Sequence, residues 1–195
     1  MRVPEWLAWR AKVTPDRVAL VWREQQWTFA RLAAEADVLA RRLAELGVGR
    51  GDRVAVCLPN RPEVVFLVHA VSRLGAIVVP LNVRLTAREL AAQLDDAEPR
   101  VVVADATTGD RVTSWPGLVV DVDRDLATVP ERSADLQREV ALEEVHTLVY
   151  TSGTTDRPKG VLLTYGNHWW SALGSQLNIG VRPDDRWLLC LPLFH

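Results

Sequence analysis

The chain has 195 residues, of which 48% are hydrophobic and 25% charged, so it can bury the core of a globular domain. Its 23 Lys and Arg residues against 25 Asp and Glu give a net charge of −2, which excludes the global positive field of a protein that binds nucleic acid or an anionic membrane. The N-terminus lacks the apolar core of a signal peptide, and no apolar run approaches the roughly 18 residues that span a bilayer, so we expect a cytoplasmic protein.

Strand and helix patterns alternate through the first half of the chain. Residues 17–22 predict a strand, and Gln25 to Trp27 predict its hairpin partner. A core-facing apolar stripe then follows Thr28, a residue suited to cap a helix, and ends before Gly47, a residue suited to stop one. Further apolar runs predict strands at 53–58, 76–81 and 100–105, separated by helices at 62–74 and 86–94. This spacing predicts an α/β fold, a largely parallel sheet flanked by helices.

The pattern is weaker from Ala106 to Glu144. Residues 119–123 predict a strand, and the charged run at 131–145 predicts a solvated helix or a linker. Strands are then expected at 146–150 and 160–163, a helix at 165–178, and a last apolar strand at 186–191. Because the chain stops directly after that strand, we expect an α/β domain that is incomplete. Cys57 and Cys190 both lie in apolar runs, which favours buried free thiols in a reducing compartment.

The stretch from Tyr150 to Gly160, YTSGTTDRPKG, separates the last two paired strands. Composition alone favours a plain hairpin connection, in which Gly, Thr and Asp serve turn geometry only. The density of hydrogen-bond donors favours a second interpretation, a loop that wraps the oxygens of a polyanion. These donors are the hydroxyls of Thr151, Ser152, Thr154 and Thr155, the backbone N–H groups around Gly153, and the Lys159 ammonium. No Gly-Lys-Ser/Thr sequence opens a helix here, so the loop is not a Walker motif.

The same stretch resembles the phosphate-binding signature of the acyl- and aryl-adenylating enzymes, the family of acyl-CoA synthetases, luciferases and peptide-synthetase adenylation domains. That signature reads approximately Tyr-Thr-Ser-Gly-Thr-Thr-Gly-x-Pro-Lys-Gly. Other stretches are similar to the family as well: WTFARL, GVGRGDRVAVCLPNRPEVV, LGAIVVPLNVRLTAREL and LPLFH. The resemblance therefore covers essentially the whole chain. The run from TYGNHWW to LPLFH is most similar to one group within the family, the carboxylate–CoA ligases of menaquinone biosynthesis.

The resemblance implies that residues 1–195 form the N-terminal portion of an AMP-binding domain, an incomplete part of the adenylate-forming fold. It also implies a ligase in which ATP activates a small-molecule carboxylic acid and coenzyme A then accepts the acyl group. Mg²⁺ would share the charge of the β- and γ-phosphates of ATP. The implied phosphate-binding residues are Thr151, Ser152, Gly153, Thr154, Thr155 and Lys159. His195 matches the family position that borders the acyl pocket and would be catalytic; a terminal histidine without function is the equal alternative.

The sequence departs from the family pattern in one loop residue and in length. Asp156 stands where the signature has glycine, and a carboxylate beside a triphosphate is expected to weaken ATP binding unless it faces Mg²⁺ or solvent. The later family segments are absent, among them the small C-terminal domain with the catalytic lysine. We therefore expect the isolated chain to be inactive and to self-associate through exposed apolar surface. A non-catalytic or partner-binding relative of the same fold, and a ligase for another aromatic or fatty acid, are the alternative interpretations.

Three further features of the sequence bear on metal binding, on acid–base pairs and on the core. The four histidines are scattered along the sequence, so no protein metal site is predicted. The adjacent carboxylates Asp95 and Asp96 are interpreted as a solvated helix end, because adjacent residues there usually diverge. Of Trp169 and Trp170, one is expected to pack in the core.

Overall fold

The structure, a computed structural model, describes residues 1–151 and 159–194. The strands are β1 (Arg2–Pro4), β2 (Val18–Trp22), β3 (Gln25–Thr28), β4 (Arg53–Cys57), β5 (Ile77–Pro80), β6 (Val101–Ala104), β7 (Val119–Asp121), β8 (Glu139–Ala141), β9 (Val145–Thr151) and β10 (Lys159–Thr164). The helices are α1 (Trp6–Val13), α2 (Phe29–Glu45), α3 (Pro62–Arg73), α4 (Ala87–Ala97) and α5 (Tyr165–Ile179). Most predicted elements are present, with ends shifted by a residue or a few.

The central sheet has the strand order β10-β9-β5-β4-β6-β7. The five strands from β9 to β7 run parallel, and β10 pairs antiparallel with β9 at the edge. The prediction of a largely parallel sheet flanked by helices is confirmed. β4 leads through α3 to β5 on one side, and α4 then returns the chain to β6 on the other side. Open α/β sheets bind their ligands at the carboxyl ends of the strands, next to such a reversal.

The parallel strands alternate their side chains between two hydrophobic clusters. Val54 and Val56 of β4 pack in the cluster that contains the apolar faces of α2 and α3. Ala55 and Cys57 pack in the cluster that contains the apolar face of α4. Because both faces of the sheet are covered, these strands read as continuous apolar runs in the sequence.

Local sequence determines where the helices begin and end. The Thr28 side chain accepts a hydrogen bond from the Arg31 N–H at 3.2 Å, which starts α2 as predicted. Gly47, just after α2, has a φ of +84°, a left-handed conformation that favours glycine. Thr86 forms a capping box with Glu89 at the start of α4.

The C-terminal region contains the main corrections to the sequence-based expectations. The charged run at 131–145 contains no helix; it is a linker whose end forms β8, because residues 139–141 pair antiparallel with β1. The strand expected at 186–191 is also wrong: these residues are exposed, and no described strand pairs with them. Cys190 is therefore exposed, whereas Cys57 is buried as expected, and burial raises the pKa of its thiol to about 11. Among the described helices, none has the length and apolarity needed to cross a bilayer.

Candidate functional site

The YTSGTTDRPKG stretch connects the two strands of an antiparallel hairpin, as the sequence predicted. Thr151 ends β9, Lys159 begins β10, and the two residues form the last pair of the ladder before the loop. The Thr151 hydroxyl donates to the Lys159 carbonyl oxygen at 3.5 Å, and both residues are exposed. The structure thus brings together two of the predicted phosphate-binding residues. We call this pair, Thr151 and Lys159, the neck of the loop.

The other predicted site residues lie outside the described part of the chain. They are Ser152, Gly153, Thr154 and Thr155 of the loop, the atypical Asp156, and the predicted catalytic residue His195. Their roles stay predictions from the sequence.

Tyr150 is the first residue of the YTSGTTDRPKG stretch. Its side chain links α4 to the end of β9 that leads into the loop. Its hydroxyl donates to Asp96 Oδ2 at 2.6 Å, and the carbonyl oxygen of Gln93 lies 3.1 Å from the same hydroxyl. Burial and the neighbouring carboxylate both raise the pKa of Tyr150, so the hydroxyl keeps the proton that it donates. Because Tyr150 directly precedes Thr151, this bond positions the neck of the loop. Asp96 is exposed as expected, but nothing in the sequence indicates its role as the acceptor.

Gly160 lies directly across the ladder from Tyr150. A Cβ at this position would lie 2.9 Å from Leu148 Cδ1 and 3.3 Å from Tyr150 Cε1. Any side chain at Gly160 would therefore push against the tyrosine that is fastened to α4. This close approach favours glycine at the end of the motif, because Leu148 and Tyr150 would have to shift to accept a Cβ.

The neck of the loop lies at the same edge of the sheet as the segment that precedes His195. Asn60 follows β4; its Nδ2 donates to the Leu191 carbonyl at 2.8 Å and its Oδ1 accepts from the Leu193 N–H at 2.8 Å. β4 and β9 both run parallel to β5, so their carboxyl ends, with Asn60 and Thr151, lie at one edge. That edge is where ligands bind in open α/β sheets.

A buried cluster of charged side chains lies on the side of the sheet that is opposite to α4. Arg73 of α3 is fully buried, with Nη1 2.9 Å from Glu5 Oε2 and Nε 3.0 Å from Asp37 Oδ1. Burial raises the pKa of Glu5, but the neighbouring His69, whose Nδ1 lies 3.7 Å from Glu5 Oε1, and the charge of Arg73 outweigh it, so the net shift is downward. The cluster joins the start of α1 to α2 and α3. Sequence reasoning missed it, since these residues are far apart in the chain.

Two of the four histidines, which are far apart in the sequence, lie next to each other beside this cluster. His146 of β9 and His168 of α5 have ring centres 4.9 Å apart, and Trp6 of α1 packs against both. Trp169 is partly buried nearby and Trp170 is exposed, which confirms that one of the pair packs inward. The described residues contain no group of three or more His, Cys, Asp or Glu side chains placed to hold a metal ion.

Residues 7–195 match the family of AMP-binding enzymes. The chain belongs to this family. A 2-succinylbenzoate–CoA ligase from Geobacillus kaustophilus is 48% identical over 193 residues, which make up 99% of this chain and 39% of the relative. The chain thus spans about two fifths of the length of the curated relatives that it matches.

Solved structures of one member of the AMP-binding family show the same fold. The o-succinylbenzoate CoA synthetase from Bacillus subtilis, in complex with the acyl-adenylate intermediate OSB-AMP, superposes with a TM-score of 0.95 at 39% identity, over 100% of this chain and 51% of that chain. The same enzyme in complex with ATP and magnesium ion gives a TM-score of 0.94 at 38% identity, over 100% of this chain and 52% of that chain. The resemblance to the adenylate-forming family and fold is confirmed.

Proposed function

We propose that this chain, residues 1–195, is the N-terminal portion of an AMP-forming ligase that joins 2-succinylbenzoate to coenzyme A. The observation that carries the proposal is the neck of the loop, where Thr151 and Lys159 face each other at the carboxyl edge of the sheet. An ammonium and a hydroxyl at such an edge are suited to a polyphosphate, and the sequence of the loop supplies further hydroxyls. ATP and coenzyme A as substrates support a cytoplasmic location.

The proposed reaction has two steps because a free carboxylate has no good leaving group. The carboxylate oxygen first attacks the α-phosphorus of ATP, so that an acyl-adenylate forms and pyrophosphate leaves. The sulfur of coenzyme A then attacks the acyl carbon, its proton is lost, and AMP leaves as the thioester forms. The first step brings an anion to a polyphosphate, so stabilisation of negative charge is the main task of the site.

Each predicted residue has a part in that task. Lys159 would pair with the β- and γ-phosphates, and the donors of residues 151–155 would replace the water around their oxygens. Mg²⁺ would neutralise part of the charge of the phosphates. His195 would border the acyl group.

The choice of acid rests on the relatives. Curated ligases that are 44–48% identical over 99% of this chain act on 2-succinylbenzoate. The Bacillus subtilis synthetase holds the corresponding acyl-adenylate, OSB-AMP. These likenesses favour 2-succinylbenzoate over another aromatic or a fatty acid.

A chimera tests the proposal. This chain replaces the matching 193 residues of the Geobacillus kaustophilus ligase, and ATP-dependent CoA ligation is measured with 2-succinylbenzoate, benzoate and a medium-chain fatty acid. We expect 2-succinylbenzoate to be the preferred acid, with the parent ligase as the positive control. A folded chimera that releases no pyrophosphate with any acid would refute the ligase proposal, and a preference for the fatty acid would refute the choice of substrate.

We also propose that the 195-residue chain self-associates. Among the described strands of the central sheet, β10 lies at the edge with Val161 and Leu162 exposed, and a strand edge of this kind pairs readily with a second copy. Further exposed apolar side chains lie in α5 and the segment after it, at Trp170, Leu177, Ile179, Val181, Trp187, Leu188 and Leu191. Light scattering across a concentration series should show growing mass; a constant monomer mass would contradict the proposal.

A further inference from the structure

The base of the β9–β10 hairpin, at the end away from the loop, has an irregular strand pairing. Leu163 of β10 pairs with Thr147, whereas the next residue, Thr164, pairs with Val145. His146 is therefore the extra residue of a β-bulge, a feature that commonly redirects a side chain.

At the bulge, the side chains of His146 and Thr147 contact each other, and Thr147 also contacts α5. His146 Nδ1 lies 2.6 Å from Thr147 Oγ1, and that oxygen lies 3.2 Å from His168 Nε2. A threonine hydroxyl has one proton to donate and can also accept. With both imidazoles neutral, it donates to one ring and accepts the N–H of the other. Thr147 thus links the base of the hairpin to α5.

Thr147 is also where the hairpin joins the rest of the sheet. Within the described residues, the parallel pairing of β5 with β9 consists of Val78 opposite Thr147. Thr151, at the neck of the loop, is four residues further along β9, or about 13 Å at the usual rise of a strand. A small rotation of the hairpin about Thr147 would therefore displace the neck.

The surroundings of the histidine pair keep both rings neutral near pH 7. Burial, followed by the positive charge that His168 would carry, lowers the pKa of His146 to about 4. Burial also lowers the pKa of His168. Glu5 opposes these effects, but it is already paired with Arg73. The titratable and charged groups around the pair are Glu5, which caps α1, Asp37 of α2, His69 and Arg73 of α3, Tyr165 of α5, and Glu144 and Arg50 beside Tyr165.

We propose that Thr147 is a positioning residue for the phosphate loop: with His146 and His168 it clamps the hairpin to α5, and protonation of the histidine pair opens the clamp. When both rings are charged, both nitrogens that face Thr147 are donors and two positive charges lie side by side in a buried site. The hairpin base then separates from α5, and the neck of the loop moves. The consequence for ATP rests on the function proposed above, whereas the clamp itself does not.

Native-state hydrogen exchange on the 195-residue chain tests the clamp without nucleotide. Rates are corrected for the intrinsic pH dependence, and the amides of β4 and β6 serve as the internal reference for global unfolding. We expect the hairpin amides to exchange faster than the reference, and at least tenfold faster at pH 5 than at pH 7.5. Thr147→Val should accelerate their exchange at least tenfold at pH 7.5. Thr147→Ser, which keeps the hydroxyl, should stay within threefold of the unmodified chain.

The histidines are tested by the double variant His146→Phe/His168→Phe, which keeps two aromatic rings and removes the titration. Hairpin exchange in this variant should change less than threefold between pH 7.5 and pH 5. Persistent acid-induced opening in the double variant would overturn the proposal, as would equal exchange of hairpin and reference amides in the unmodified chain. ATP binding is measured separately with the chimera; its absence would count against the proposed function and leave the exchange result standing.

Discussion

Tyr150→Phe removes one hydroxyl and keeps the ring, so it isolates the bond that fastens the loop end of β9 to α4. The hydroxyl donates to the Asp96 carboxylate at 2.6 Å. A hydrogen bond to a charged group contributes roughly 1.5–3 kcal/mol to stability. Asp96 is exposed, so water competes for its oxygens, and we expect the variant to lower the free energy of unfolding by about 1 kcal/mol.

Urea unfolding of a double-mutant cycle measures this bond. The cycle compares Tyr150→Phe, Asp96→Ala and the double variant, and we expect a coupling energy of about 1 kcal/mol. Asp95→Ala is the matched control, because Asp95 is the exposed neighbour on the same helix; its coupling to Tyr150→Phe should be close to zero. If the effects at positions 150 and 96 simply add, the tyrosine does not fasten the hairpin to α4 and the reasoning is refuted.

The remaining predictions concern stability against pH, the motif glycine and the atypical loop residue. The pKa of His146 is about 4 in the folded chain against about 6.5 when unfolded, so unfolding takes up a proton between these values. The contribution of neutral His146 to the stability of the folded chain is complete above pH 6.5 and is lost as pH falls toward 4. The free energy of unfolding should therefore drop by about 2 kcal/mol from pH 7.5 to pH 5. A free energy of unfolding that does not change with pH in urea titrations would contradict this. Gly160→Ala should destabilise the chain by about 1 kcal/mol, the low end of the cost of overpacking, because Leu148 and Tyr150 must shift, and unchanged thermal unfolding would show that these neighbours yield freely. Asp156→Gly in the chimera should tighten ATP binding several-fold by removing a negative charge; equal or weaker affinity in calorimetry would disprove that charge effect.

The sheet and its helices could be predicted because their signals are local. Strands such as β4, buried on both faces, are short continuous apolar runs, and α2 has its cap at Thr28 and its stop at Gly47 within the same stretch. The hairpin at Tyr150 to Gly160 was also predictable, since a polar, glycine-containing segment between two apolar runs has few alternatives.

The parts that could not be predicted depend on the tertiary structure. Asp96 becomes an acceptor only because α4 packs beside the end of β9, and nothing in the pair Asp95–Asp96 indicates which carboxylate meets Tyr150. The bulge at His146 is a one-residue offset between strands that no periodicity reveals. Residues 186–191 have the composition of a buried strand, but a strand also needs a partner, and no described strand pairs with them.

The most direct test of the central claim, that the loop between β9 and β10 holds the outer phosphates of ATP, is to measure nucleotide binding by calorimetry in the chimera with and without Lys159→Ala. AMP lacks the β- and γ-phosphates, so it serves as the matched ligand. We predict that Lys159→Ala weakens binding of Mg-ATP at least tenfold, as expected for the loss of a charge-assisted contact, and changes AMP binding less than twofold. Equal effects on the two nucleotides, or no effect on either, would contradict the account.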